Sequence, residues 1–151
     1  MKIPATVSFA SVAPILLAFI AACASPTAPA LKGGVLATFE VSGERYSIFI
    51  TNPQTIDQVY SVLRGTSNAR IPSGRLLRGQ VSYNKPWHWH IDSQDVVMAE
   101  VTIELCDGRP SYVENNLDDW LNSVGRFCPW WAQLVELRDF RAGLQGERVI
   151  K

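Results

Sequence analysis

The densest cluster of chemically versatile side chains lies at residues 87–92, which read Trp-His-Trp-His-Ile-Asp. In a β-strand alternate side chains share a face, so His88, His90 and Asp92 would lie opposite the tryptophans and the isoleucine. Imidazole and carboxylate groups in a row are candidate metal ligands or acid–base groups. At a rise of about 3.3 Å per residue, however, His88 and Asp92 would be ~13 Å apart, too far to share one ion. A metal site would therefore need ligands from other segments.

The same segment has a structural interpretation, which we favour. His90 and Asp92 would hydrogen-bond to each other or to loop backbone, while the two tryptophans fill the core. A metal-dependent or His/Asp hydrolytic enzyme is the alternative function that this segment suggests. We assign no catalytic residue, metal ligand or cofactor, and the candidate ligand-binding residues are Trp87, His88, Trp89, His90 and Asp92.

Other catalytic signatures are absent from the sequence. It contains no Gly-x-Ser-x-Gly elbow, His-Glu-x-x-His helix, phosphate loop or dinucleotide glycine fingerprint. Asp118 and Asp119 are adjacent and would lie on different faces of a helix, which is typical of a solvated surface. The sequence thus favours a non-enzymatic protein.

Five tryptophans in a chain of 151 residues suggest a different activity. Most of them are expected to fill the core, because large aromatic side chains dominate core packing. Any tryptophan left exposed beside polar groups would form a platform for a carbohydrate or an envelope polymer.

The N-terminus carries an export signal. Lys2 precedes the apolar run at residues 13–20, and the run ends in Ala21-Ala22-Cys23. This pattern resembles a bacterial lipoprotein signal, which implies cleavage before Cys23 and lipidation of its thiol. Ordinary secretion, with cleavage after Ala24, is the alternative. We expect an extracytoplasmic lipoprotein that is held to a membrane of the cell envelope by its lipid.

Four segments follow from this interpretation: a signal peptide at 1–22, a flexible tether at 23–34, a single domain at 35–140 and a polar tail at 141–151. The full chain has 14 basic and 14 acidic residues, and the leader removes one lysine and no acid. The exported chain is therefore nearly neutral, which argues against nucleic acid as a partner. An envelope protein or polymer is the expected partner besides the membrane.

Two cysteines, Cys106 and Cys128, remain once Cys23 is lipidated or removed. An even number of cysteines in an oxidising compartment favours a disulfide between them. Two free buried thiols, or a pair of metal ligands, are the alternatives.

Local patterns in the first half of the domain predict a β-hairpin and a helix. Apolar and polar residues alternate on both sides of Ser42-Gly43, as expected for two strands and a tight turn. Asn52 and Pro53 then mark the start of an amphipathic helix, which ends before Gly65.

The second half of the domain has its clearest strand signal at residues 97–105, where every odd position is apolar. Ser111 and Glu114 form a capping box, which predicts a second amphipathic helix ending before Gly125. The remaining predictions are a loop at 66–74, a strand at 76–83 and a strand at 134–137. The order of elements favours an α+β fold in which an antiparallel sheet packs with two helices in one small domain.

An ordered set of short motifs resembles a family of small exported bacterial proteins that are often labelled calmodulin-binding protein. The likeness covers roughly residues 38–137, and its motifs are 39–46, 51–53, 86–87, 90–92, 104–107, 112–114 and 128–130. The resemblance implies an exported single domain with both cysteines, and it implies no activity or catalytic residue.

Calmodulin itself is an unfavourable partner on charge. Its targets are typically basic amphipathic helices. The predicted second helix carries Glu114, Asp118 and Asp119, and it has no lysine or arginine between residues 111 and 124. We therefore expect no calmodulin binding.

Overall fold

The structure is a computed structural model that describes residues 30–143 and 146–149. The predicted signal peptide at 1–22, the lipidation site Cys23 and part of the tether lie outside these ranges. Among the residues described, no helix combines the length and apolar character that crossing a bilayer would require.

The described strands form two antiparallel sheets, with the order β2-β1-β6-β7 in the larger sheet and β4-β3-β5 in the smaller. The predicted α+β class and antiparallel pairing are confirmed. The elements are β1 (Val35–Val41), β2 (Glu44–Ile50), α1 (Pro53–Leu63), β3 (Ile71–Arg78), β4 (Trp89–Ala99), α2 (Pro110–Asn115), α3 (Leu117–Asp119), β5 (Arg126–Phe127), β6 (Gln133–Asp139) and β7 (Glu147–Val149).

The β1–β2 hairpin agrees with its prediction. Val41 pairs with Glu44, and the two residues between them, Ser42 and Gly43, both have positive φ angles, 53° and 78°. Positive φ at both central residues is what a turn matched to the twist of a hairpin requires. Side chains of both strands alternate between buried and partly exposed positions, so one face of the larger sheet lies against the core.

Helix α1 also begins and ends where the sequence indicates. The Asn52 side chain accepts hydrogen bonds from the backbone N–H groups of Gln54 and Thr55, and Pro53 occupies the first turn. Gly65, with a φ of 73°, follows the helix and redirects the chain. Both ends are fixed by residues adjacent in sequence, which is why the local signal was sufficient.

Strand β3 begins five residues earlier than predicted and ends at Arg78 rather than at residue 83. Pro72 and Gly74 indicated a loop, yet both are buried in the strand. Gly74 lies at a break in the β3–β4 register, and a Cβ at this position would collide with the Ile91 side chain. The glycine therefore permits a close approach of two strands rather than marking a turn.

The strand predicted at 97–105 is wrong. Val96 and Met98 are buried and Val97 is exposed, so the inward face is opposite to the predicted one. Ala99 pairs with Ile71, the first residue of β3, and the neighbouring strand ends there. The chain beyond Ala99 leaves the sheet, which is why the apolar side chains of Val101, Ile103 and Leu105 are exposed.

The second helix spans nearly the predicted residues but is irregular rather than continuous. It breaks at Asn116, continues as α3 and becomes a π-helix, Trp120–Val124, before Gly125. The predicted capping box is wrong: the N-cap is Arg109, which makes no side-chain capping bond. The backbone N–H and the hydroxyl of Ser111 instead donate to the Glu44 carboxylate, each at 2.7 Å.

The C-terminal strand predicted at 134–137 lies inside β6, and a further strand follows it. Strand β7 pairs with the end of β6, Leu137 opposite Val149. β7 lies within the predicted polar tail at 141–151, because a strand of three residues gives too short a pattern to detect.

Aromatic side chains fill the space between the sheets. Tyr46 of β2 lies 6.1 Å from Trp89 of β4 and 5.3 Å from Phe127 of β5, measured between ring centroids. Trp120 packs edge-on against Phe127 at 5.8 Å. The Tyr46 hydroxyl and the Trp89 indole nitrogen are buried here without a hydrogen-bond partner among the described residues, and burial raises the pKa of Tyr46. The aromatic core thus contains two polar atoms that cost stability, the Tyr46 hydroxyl oxygen and the Trp89 indole nitrogen.

We expect Tyr46→Phe to raise the free energy of unfolding by about 1 kcal/mol, because it removes a buried hydroxyl that has no partner. Tyr60→Phe is the matched control, since the Tyr60 hydroxyl donates to Asp139 at 2.7 Å and its loss should cost about 1 kcal/mol. Urea denaturation of both variants measures the difference. Destabilisation by Tyr46→Phe would show that the hydroxyl has a partner.

Candidate functional site

Only part of the predicted site at residues 87–92 is accessible: Trp89 and Ile91 are buried in the core, and His88 is exposed. Trp89 is fully buried, and the Trp87 ring stacks on it with 6.2 Å between centroids. The Trp87 indole N–H donates to the Arg45 carbonyl at 2.8 Å. Both tryptophans therefore contribute to packing, as the structural interpretation expects.

The two histidines have different partners. His88 Nδ1 donates to one carboxylate oxygen of Glu114 at 2.6 Å, and the His88 backbone N–H donates to the other at 2.9 Å. His90 Nδ1 donates to the Gly79 carbonyl at 2.9 Å. Each imidazole is thus oriented by a group from another part of the chain rather than by the other imidazole.

Asp92 forms an ion pair with Arg75 and accepts a hydrogen bond from the Gln94 backbone. The Arg75 guanidinium holds the pKa of the Asp92 carboxyl below its usual value. A carboxylate kept ionised by an arginine is a poor general acid. Across residues 30–143 and 146–149, no group of three or more His, Cys, Asp and Glu residues is placed to hold a metal ion.

A different surface carries exposed aromatic side chains. Trp131 is 80% exposed and Trp130 is 39% exposed; we call these two residues the aromatic ledge. Two grooves adjoin it. The larger, of about 600 Å³, has the end of α1 and the start of β6 as walls, and we call it the arginine groove because Arg64 and Arg70 line it. The smaller, of about 240 Å³, is lined by Ile71, the ledge and residues 100–102.

Three contacts hold the ledge against the segment that follows β4. Cys106 and Cys128 lie within disulfide-bonding distance, with their Cα atoms 5.2 Å apart. The Cys128 backbone N–H donates to the Cys106 carbonyl at 2.8 Å. The Trp130 backbone N–H donates to the Asp107 carboxylate at 2.9 Å. The backbone of the ledge is thereby fixed although its side chains face solvent.

The charges in the arginine groove are of one sign. Arg64 and Arg70 line it, and no aspartate or glutamate of the described chain does. The Arg64 guanidinium donates to the Ser61 hydroxyl at 3.2 Å, and among the residues that the structure describes Arg70 has no side-chain hydrogen bond or ion pair. Gln133, at the start of β6, adds an amide to the lining of the groove. The groove therefore combines two cationic groups, an amide and two indoles.

Sequence reasoning did not locate the ledge, although one signal was available. Trp130 and Trp131 are consecutive, and they are separated from Cys128 by a single proline. Two consecutive side chains rarely enter the same core, and a cystine beside them restricts how the loop can turn. The sequence favours the segment at 87–92 as a site instead, because it contains two histidines and an aspartate.

Comparison with known families agrees with this architecture. Residues 34–141 match the family described as the BP-74 N-terminal domain. The chain belongs to this family. The match runs from β1 to the end of β6, so it includes both cysteines, the ledge and the walls of the arginine groove. Comparison with curated proteins found no match, and comparison with solved structures found none.

We expect iodoacetamide to leave Cys106 and Cys128 unmodified when the exported protein is denatured without a reductant. The Cys106→Ser/Cys128→Ser variant should lose roughly 3 kcal/mol of unfolding free energy, because the disulfide restricts the unfolded chain. Peptide mass spectrometry and urea denaturation measure the two effects, with Cys23→Ser as the control that keeps both core cysteines. Alkylation of both residues in the unreduced protein would contradict the pairing.

Proposed function

We propose that this BP-74 N-terminal domain is an extracytoplasmic, membrane-anchored binding module, without catalytic activity, which holds an envelope polymer or protein at the aromatic ledge. The observation that carries the proposal is the exposure of Trp131 beside a groove lined by Arg64 and Arg70. A flat apolar face next to convergent polar groups is the usual composition of a ligand site.

The energetics of folding support this assignment. A large apolar side chain gains about 1.5–3 kcal/mol when it is buried, and Trp131 forgoes most of that gain. Val101 is also exposed, and it lines the smaller groove together with the ledge. An exposed apolar patch favours aggregation unless a partner covers it. Such patches on folded proteins are therefore typical of interaction sites. A rigid backbone under the ledge further reduces the entropy that binding would cost.

The hydrolytic alternative has weaker support. Its three titratable side chains, His88, His90 and Asp92, have partners in Glu114, Gly79 and Arg75. A base and a nucleophile must lie within hydrogen-bond reach of each other and of an open site. His88 is exposed, yet its carboxylate partner belongs to α2 and links that helix to the chain before β4.

The membrane anchor completes the proposal. The Gly33 backbone N–H donates to the Phe140 carbonyl at 3.1 Å, so lipid at Cys23 would leave residues 23–32 as the tether, with a root-mean-square reach of about 17 Å for a flexible chain. This distance would let the ledge contact polymers and proteins close to the membrane surface. Diacyl and N-acyl chains together make such anchoring stable.

The binding proposal is tested with Trp131→Ala. We expect about a tenfold or greater loss of cosedimentation with insoluble envelope polymer and of retention on immobilised envelope extract, because central aromatic residues dominate binding energy. His88→Ala is the control, since it alters the rival segment and should leave binding unchanged. Equal losses in both variants, or none in either, would remove the ledge as the site.

The anchor is tested with Cys23→Ser in the full-length chain. The unaltered protein should fractionate with membranes and carry a lipid-modified N-terminus by mass spectrometry, whereas the variant should not be lipidated. Trp131→Ala serves as the control, because it leaves the N-terminal signal intact. An unprocessed Met1 on the unaltered protein would exclude export by this route.

A further inference from the structure

Resting on the proposed binding function, we propose that the arginine groove binds an acidic polysaccharide through uronate-type sugars. In this arrangement a sugar ring stacks on the exposed Trp131 indole, and neighbouring carboxylates pair with the Arg64 and Arg70 guanidiniums. The Gln133 amide, which also lines the groove, supplies hydrogen bonds to hydroxyl groups. The binding surface is thus selective for charge as well as for ring shape.

Charge complementarity is the first argument. Both described charged side chains that line the groove are arginines, and neither forms an ion pair with a described residue. Elsewhere in the described domain arginines commonly face acids, as Arg75 does Asp92 and Arg126 does Asp95. Guanidinium groups bind carboxylates through two parallel hydrogen bonds, which makes arginine well suited to a planar carboxylate. Two guanidiniums that line one groove, with no acid among the described residues that line it, therefore fit an anionic ligand.

The aromatic face is the second argument. Trp131 exposes an extended planar surface that is apolar on its face and carries one N–H at its edge. A pyranose ring presents C–H groups on its faces and hydroxyls around its rim, so it matches an indole bordered by polar donors. Val62, Leu63 and Leu134 add apolar surface to the groove. A small inorganic anion would use the guanidiniums but would leave this surface uncovered.

The shape of the groove favours a polymer segment over a bilayer. Its volume of about 600 Å³ is within the range of about 300–1,000 Å³ that is typical of small-molecule sites. The groove is concave, with the end of α1 on one side and the ledge on the other. A bilayer surface is flat on this scale and would meet the tip of Trp131 without filling the groove. The structure thus favours a chain of sugars as the occupant.

The decisive probes are polygalacturonate and its methyl ester, which have the same backbone and differ in charge. By affinity electrophoresis of the full domain, we expect polygalacturonate to bind about tenfold more tightly than the ester, as charge-assisted pairs would require. Arg64→Gln/Arg70→Gln should abolish this preference, and Trp131→Ala should weaken binding of both polymers. Lys85→Gln, which removes an exposed cation outside the groove, should behave as the unaltered protein.

Four other results would contradict the proposal of an acidic polysaccharide ligand, each in a different way. Equal binding of both polymers that still depends on Trp131 would retain the binding function and remove the acidic selectivity. Binding of neither polymer, with Trp131-dependent retention on envelope extract, would retain the function and exclude sugar as its ligand. Binding of phosphatidylglycerol vesicles that depends on Arg64 and Arg70, without polymer binding, would assign the groove to lipid. Loss of Trp131 dependence in every assay would overturn both proposals.

Discussion

The fold depends on the contact between its two sheets, which is made largely by side chains. Tyr46 from one sheet packs against Trp89 and Phe127 from the other. Asn84 supplements this packing: its side-chain oxygen accepts from the Ser47 N–H at 2.7 Å, and its amide donates to the Trp89 carbonyl at 2.9 Å. Apolar packing alone would allow the two sheets to slide past each other. The two hydrogen bonds of the buried Asn84 amide fix their relative position.

This contact explains why the most reactive-looking segment of the sequence is largely structural. Trp89 is central to the aromatic core, so the strand that carries it must be held in register on both sides. His90 and Asp92 help to do this through the Gly79 carbonyl and Arg75, and His88 connects the strand to α2 through Glu114. The chemistry of these side chains is used within the molecule. The aromatic ledge and the arginine groove instead direct indole and guanidinium groups towards solvent.

How much the sequence predicted depends on where each residue finds its partner. The hairpin at Ser42-Gly43 and helix α1 were predicted well, because a turn and a cap are completed by residues two or three positions away. Ser111 and Glu114 suited each other equally well in sequence, yet each is bonded to a distant group, Glu44 or His88. The prediction of a strand at 97–105 is wrong because alternation shows only which side chains share a face. Where a strand ends depends on its pairing partner, and here β3 provides no partner beyond Ala99. The consecutive tryptophans were only a partial signal for the ledge, since the exposure of Trp131 depends on how residues 106 and 128 meet.

The Cys106–Cys128 pairing gives the exposed loop a dependence on redox conditions that the core does not share. The two sheets rest on aromatic packing, which requires no oxidant, whereas the backbone beneath Trp130 and Trp131 is held by a cystine. Reduction of the cystine would therefore release the backbone beneath the ledge and leave the packing between the sheets in place. The order of the exposed loop is thus tied to the redox state of two thiols, and that of the core is not.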